Sequence, residues 1–159
     1  MGNVLVIVRE AETQKDVLTA RRLFEDYAGW LGIDLGFQSF DEELASLPGA
    51  YTRPTGLILF AEHGETIVGC VALRRIEDGI GEVKRLYVNP AYRGQKIGRR
   101  LMDHLIEEAK GIGYSKLRLD TLPQMHTARG LYASLGFKKI APYYYNPIEG
   151  TEFMELALS

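Results

Sequence analysis

The 159-residue chain carries 19 lysines and arginines against 21 aspartates and glutamates, a net charge of -2, which speaks against a dedicated nucleic-acid binder. Its 46% hydrophobic and 25% charged residues suit one soluble globular domain spanning residues 1–159, with one sizeable core and no run near the ~20 apolar residues of a membrane span. The single cysteine, Cys70, rules out an intrachain disulfide and fits a reducing compartment, the cytoplasm.

In chain order, Val4 to Val8 is a β-branched apolar run and reads as a first strand rather than a signal peptide, because Arg9 and Glu10 interrupt it. Thr13 is placed to cap a helix whose apolar positions recur from Val17 to Leu31. After an irregular stretch from Ile33, Asp41 to Leu47 forms a short helix stopped by Pro48 and Gly49. Leu57 to Glu62 and Thr66 to Leu73 flank His63-Gly64-Glu65 and predict a hairpin. Gly81 to Val88 is a further strand, ended by Asn89-Pro90.

A glycine-bearing loop, Arg93 to Gly98, then runs into a helix with Ile97, Leu101, Leu105, Ile106 and Ala109 on one stripe. Lys116 to Asp120 is a strand, Thr127 to Leu135 a helix closed by Gly136, and Phe137 to Ile140 and Phe153 to Leu158 the last strands. Pro142 to Pro147 is too rich in proline and aromatics for a strand interior. The order predicts an α/β domain of the α+β type, with a mixed, mostly antiparallel sheet of about seven strands and about four helices.

Three segments carry a resemblance: EVKRLYVNPAYRGQKIGRRLMDHLIEEA, then LRLDT, then ARGLYASLGF. Together they resemble the GCN5-related N-acetyltransferase (GNAT) superfamily. Arg93-x-x-x-x-Gly98 matches the family's pyrophosphate motif, and Leu131-Tyr132-x-x-x-Gly136-Phe137 its second block. Two positions depart from the pattern. Lys96 stands where the motif has its middle glycine, and Met125 stands where many members have an asparagine seven residues before the block's tyrosine. The N-terminal half and the ending PYYYNPIEGTEFMEL look like a bacterial subgroup without a settled substrate.

The resemblance implies a fold, acetyl-CoA as co-substrate and direct transfer to an amine. Helix-start amides and glycines suit a pyrophosphate, so Arg93, Gly94, Gln95, Lys96, Ile97, Gly98 and Arg99 are the phosphate-end candidates. By themselves these residues fit a solvated basic helix start equally well. The resemblance assigns the pantetheine arm to the backbone of Leu86, Tyr87 and Val88, where an amide would also polarise the thioester carbonyl.

It makes Tyr132 the general acid for the leaving thiolate, against its plain reading as a packed helix tyrosine. It makes Glu82, eleven residues before Arg93, the general base, against a strand carboxylate paired with Lys84 or Arg85. The two-residue strand period puts Glu82 on the face of Leu86 and Val88.

Acceptor-pocket candidates are Tyr27, Trp30, Asp34 and Gln38 near the first helices, and Tyr143, Tyr144, Tyr145 and Asn146 in the late loop. Aromatics there suit a cationic amine, and equally a core or an oligomer interface. His63, His104 and His126 show no metal-ligand spacing, and no metal is expected. The expected acceptor is a small-molecule or amino-acid-like amine. The rivals are a protein or peptide acceptor, or a non-catalytic acyl-CoA sensor. The expected partners exclude nucleic acid and membrane, and the expected state is a monomer or homodimer.

Overall fold

The structure is a computed structural model and describes residues 5–32, 34–36 and 39–159. Seven strands, β1 (Ile7–Glu10), β2 (Leu57–His63), β3 (Thr66–Glu77), β4 (Ile80–Val88), β5 (Lys116–Thr121), β6 (Lys138–Ile140) and β7 (Glu152–Ala157), form one sheet in the order β1-β2-β3-β4-β5-β7-β6. Only β4 and β5 run parallel. The helices are α1 (Gln14–Leu31), α2 (Phe40–Ser46), α3 (Ile97–Ile112) and α4 (His126–Leu135).

Strict alternation along β2 shows how the sheet divides two cores. Leu57, Leu59 and Ala61 pack with Leu101, Met102 and Leu105 of α3 and Tyr132 of α4. Ile58 and Phe60 pack on the other face with Ala20, Leu23, Phe24 and Tyr27 of α1.

The local signals account for the element ends. Thr13 and Asp16 form a reciprocal capping box, and Gly32 closes α1 in the left-handed conformation that suits glycine. Arg9 did not stop the first strand. Its guanidinium bonds both oxygens of Asp16 at 3.0 Å and Glu62 at 3.1 Å, so β1 continues through Glu10 opposite β2, while Val4 lies outside the described residues. The hairpin of β3 and β4 is longer than the sequence suggested, because both strands run to an Asp78-Gly79 turn with Gly79 at φ +78°.

A β-bulge interrupts β4. Tyr87 pairs with Cys70 and Lys84 with Ala72, three steps on β4 against two on β3, and Arg85 takes φ +61°. The extra residue reverses the side-chain alternation. Val83, Leu86 and Val88 join the α3 core, whereas Tyr87 joins the α1 core. The expectation that Glu82 shares the face of Leu86 and Val88 is therefore corrected: Glu82 alternates with Val83 and lies on the opposite face. Among the described residues, no helix is long and apolar enough to cross a membrane.

Candidate active site

β4 and β5 are paired only from Ile80 to Glu82, opposite Lys116 to Arg118. Beyond that point they part, because β5 follows β7 along its full length while β4 continues along β3. A wedge opens between them. Tyr27, Leu31 and Leu35 line it from one side, Val83 to Leu86 from β4, and Asp120, Leu122, Met125 and Tyr132 from the other side. The bulge lies at this split, so the backbone there is turned away from a regular ladder.

Below the end of β4, the chain passes through Arg93 and Gly94 (φ +82°) into α3. Lys96 occupies the N-cap position with φ +61°, and its own side chain makes no capping bond. The first α3 amides are thus left for an anion, reinforced by a helix dipole of 16 residues. Lys96 holds the left-handed geometry that glycine adopts at less cost, which explains how the loop keeps its shape without the middle glycine. A Cβ at Gly94 would meet nothing within 4 Å. The loop surface is open for a bulky ligand to approach. Ile97 is 3% exposed and offers only its backbone. Arg99 donates to Ser134 Oγ at 3.1 Å.

Tyr132 projects from α4 into the wedge and is buried, with its ring against Phe137. Burial pushes its phenol well above the ordinary value, so the hydroxyl keeps its proton throughout the neutral range. Glu82 is 1% exposed. Its Oε1 accepts from Arg74 Nε at 2.7 Å and its Oε2 from the Tyr143 hydroxyl at 2.7 Å. Burial works to raise its pKa, but the charges of Lys84 and Arg74 and the Tyr143 bond outweigh that and hold it below the ordinary carboxylate range.

One turn of loop away, Asp120 accepts from the Tyr144 hydroxyl and from Asn146 Nδ2 at 3.0 Å. The late loop is therefore pinned by two tyrosines onto two strand carboxylates. Lys84 lies between them, and burial lowers its pKa against the pull of both. Arg85, at the bulge, forms a two-pronged bond to Glu43 of α2 at 2.9 Å and lies over the rings of Tyr27 and Phe40.

A model of the acetyltransferase (GNAT) family matches residues 20–137. The chain is 40% identical over 157 residues to an N-acetyltransferase of Schizosaccharomyces pombe, covering 97% of this chain and 96% of the relative. It is 37% identical over 160 residues to the IAA acetyltransferase of Azospirillum brasilense, covering 99% and 100%. Among solved structures, the PaiA N-acetyltransferase of Thermoplasma acidophilum in complex with coenzyme A shares the fold, with a TM-score of 0.73 at 22% identity over 96% of this chain and 99% of the other. The chain belongs to the GNAT acetyltransferase family.

As a GNAT acetyltransferase, it is an enzyme of acetyl transfer, and its seven-stranded sheet with a parted β4 and β5 is the fold of the family. The likeness reaches a fission yeast, so the features of its N-terminal half are not peculiar to bacterial chains.

The acceptor-side candidates separate in this acetyltransferase. Tyr27 lines the wedge, Tyr144 and Asn146 bond Asp120 on its wall, and Tyr143 bonds Glu82. Tyr145 points away and is 82% exposed. Asp34 turns back to accept from the Gly36 amide at 2.8 Å and is exposed. Trp30 lies against Arg93 and Tyr87, beside the loop that leads into α3 rather than among the late-loop tyrosines. Gln38 lies outside the described residues.

Glu82 does not face open space, because the Tyr143 hydroxyl and Arg74 occupy its two oxygens. Sequence reasoning missed Asp120, Lys84 and the Arg85–Glu43 pair. The available signal was four charged residues, Lys84, Arg85, Arg118 and Asp120, inside the otherwise apolar strands VKRLYV and LRLDT, where a buried charge needs a partner. Met125 takes the place of the family's asparagine as a buried wall of the wedge, its sulfur accepting from the Leu122 amide at 3.5 Å. Among the described residues, no group of three or more His, Cys, Asp or Glu is placed to hold a metal.

Proposed function

We propose that this acetyltransferase moves the acetyl group of acetyl-CoA directly to the primary amine of a small, amino-acid-like acceptor. The observation that carries this reading is the late loop, whose Tyr143 and Tyr144 are fastened to the strand carboxylates Glu82 and Asp120, the latter lining the wedge with Tyr27 and Tyr132. A narrow wedge with tyrosines in its wall favours a small cation over a polypeptide strand. The same reading takes residues 1–159 as one catalytic domain working in the cytoplasm.

The α3 amides, with Gly94, Gln95, Lys96, Gly98 and Arg93, hold the pyrophosphate. The β4 edge at Leu86 to Val88, beyond the pairing with β5, takes the pantetheine arm as an added strand. Acetyl-CoA supplies the thioester. As the acceptor nitrogen bonds the acetyl carbon, the carbon–sulfur bond breaks and Tyr132 gives its proton to the departing sulfur. The amine proton leaves through Tyr143, which accepts it at oxygen while passing its own proton to Glu82 Oε2. Glu82 thus acts as base through a hydroxyl rather than by contact. The bulge amide near Arg85 stabilises the negative charge that grows on the carbonyl oxygen.

Thiol release across amino acids, small amines, polyamines and peptides tests the acceptor. Fastest turnover on amino acids or small amines is expected, and fastest turnover on peptides overturns the small-acceptor reading. Acetyl-CoA is expected to raise the melting temperature of the wild type. The Cβ of residue 98 points at Leu131 and Val88 at 3.6 and 3.9 Å, so Gly98→Glu sets a carboxylate in the seam under the loop and abolishes that rise. Binding without turnover on any acceptor would make the chain a sensor.

A further inference from the structure

Arg93 begins the phosphate loop, and it is held differently from the arginines that pair closely with carboxylates. Arg9, Arg53, Arg74, Arg85 and Arg118 each meet a carboxylate at 3.1 Å or less. Arg93 meets none within 4.0 Å among the described residues. Its Nε donates to the Val88 carbonyl at 3.0 Å, and its guanidinium lies over the Trp30 ring with 4.3 Å between Cζ and the ring centroid. Tyr87 supports the stack from β4, 6.3 Å from Trp30 between centroids and 5.9 Å from the guanidinium. Trp30 is the chain's only tryptophan and stays 42% exposed, an apolar face kept at the surface by this one cation.

The physical distinction is between holding a cation and neutralising it. A carboxylate would fix Arg93 but cancel its field, and a phosphate would then have to displace an anion. An indole face fixes the guanidinium plane through its quadrupole and leaves the N–H edges and the full charge available. The Val88 carbonyl fixes the remaining freedom at Nε, again without net charge.

We propose that Trp30 is a positioning residue for the phosphates of acetyl-CoA. It acts through Arg93, holding the guanidinium preordered and uncompensated at the loop, and so links the last turn of α1 to cofactor affinity. This rests on the reading of the α3 start as a phosphate site.

The test titrates CoA, and separately pantetheine, into the wild type, Trp30→Phe, Trp30→Leu, Arg93→Gln and the Trp30→Leu/Arg93→Gln double variant by calorimetry. Trp30→Leu is expected to weaken CoA about tenfold and leave pantetheine unchanged, since pantetheine lacks the phosphates. Trp30→Phe keeps a ring face and is expected to stay within about threefold of the wild type. The double variant is expected to bind CoA no more weakly than Arg93→Gln alone, because one residue acts through the other.

Equal CoA affinity in Trp30→Leu and wild type overturns the inference. So does an equal loss for pantetheine, which would place Trp30 against the arm, and so does additivity in the double variant. Failure of the wild type itself to bind CoA would overturn the phosphate-site reading instead. Trp30 is partly exposed, so the Leu variant is expected to fold, and the Phe variant reports on the stack in either case.

Discussion

On the proposed reading, the two sides of the parted strands recognise their ligands by different means. On the α3 side most of the work falls to the main chain, with Arg93 beside it: glycine and left-handed conformations at Gly94 and Lys96, helix-start amides, and a strand edge. On the α1, α2 and late-loop side it falls to side chains from distant segments. Glu82 meets Arg74 and Tyr143, Asp120 meets Tyr144 and Asn146, and Arg85 meets Glu43. A main-chain site serves one invariant ligand part, because every chain has the same amides. A side-chain site can be rebuilt for a new acceptor without disturbing the cofactor. The division suits an enzyme whose two substrates differ in how much they vary.

Tyr132 stands where the two sides meet, and removing its hydroxyl is the largest expected effect. Tyr132→Phe should lower kcat by about 10²–10⁴-fold while acetyl-CoA affinity, assigned to the Arg93 loop and the start of α3, stays near wild type. Single-turnover kinetics with separate binding isotherms check this. A parallel loss of affinity would mean the tyrosine also shapes the cofactor side, and the comparison would blur.

Next comes the side-chain network. Glu82→Gln and Tyr143→Phe should each slow turnover by roughly 10–100-fold near neutral pH, and the double variant should be no slower than either. The carboxylate is held below its ordinary pKa, so it is ionised throughout the neutral range and does not set the acidic limb of the rate profile. The rate should instead climb with pH as the acceptor ammonium loses its proton, and both variants should recover partly toward that pKa. Wild-type rates in Tyr143→Phe beside a slow Glu82→Gln would show that Glu82 reaches the acceptor without the tyrosine.

The same division decided what the sequence made legible. Helices and strands followed from periodicity and caps, with Thr13 opening α1 and Gly136 closing α4 where read. The loop that leads into α3 was readable because its parts are contiguous, from Arg93 to Gly98. The acceptor side was not, because Glu82 and Tyr143 are 61 residues apart and Arg85 and Glu43 are 42 apart. Period-two reasoning also failed at Arg85, where a non-glycine residue takes a positive φ and flips the alternation beyond it. No local pattern in VKRLYV announces that bulge. The aromatic candidates divide in place: Trp30 lies over Arg93 and Tyr145 faces solvent.

A smaller effect tests how the side-chain half is anchored. α1 carries Tyr27 and Trp30, and its first turn is fixed by Asp16, which accepts from Arg9 and from the amides of Glu12 and Thr13. The Arg9 bonds lead in holding its carboxyl far below the ordinary range, with the two amides adding to them against burial. Asp16→Asn should cost about 2 kcal/mol at pH 7, or roughly 4–8 °C in Tm. A carboxyl with a depressed folded pKa contributes its stability above the unfolded value of ~3.9 and loses it as pH falls through the folded pKa. The gap between wild type and variant should therefore be full at pH 7 and narrow as pH drops well below 4. Urea unfolding at a series of pH values measures it, and a constant gap would assign the loss to packing alone.

The smallest effect belongs to the main-chain half. Lys96 takes φ +61° at the start of α3, a conformation that costs a residue with a Cβ about 1–2 kcal/mol. Glycine removes that strain but loses about 0.5–1 kcal/mol of backbone entropy on folding. Lys96→Gly should thus be stabilising by about 0.5–1 kcal/mol, a rise of roughly 1–4 °C in Tm. If the amides and not the ammonium hold the phosphates, CoA affinity should fall by no more than about threefold. The loss should fade as salt is raised, since a solvated charge contributes little through screening ions. A tenfold or greater loss that persists at high salt would mean that Lys96 contacts the phosphates directly. The α3 side would then rely on a side chain at the one position where its backbone departs from the family pattern, and the contrast between the two sides would hold only for the rest of the loop.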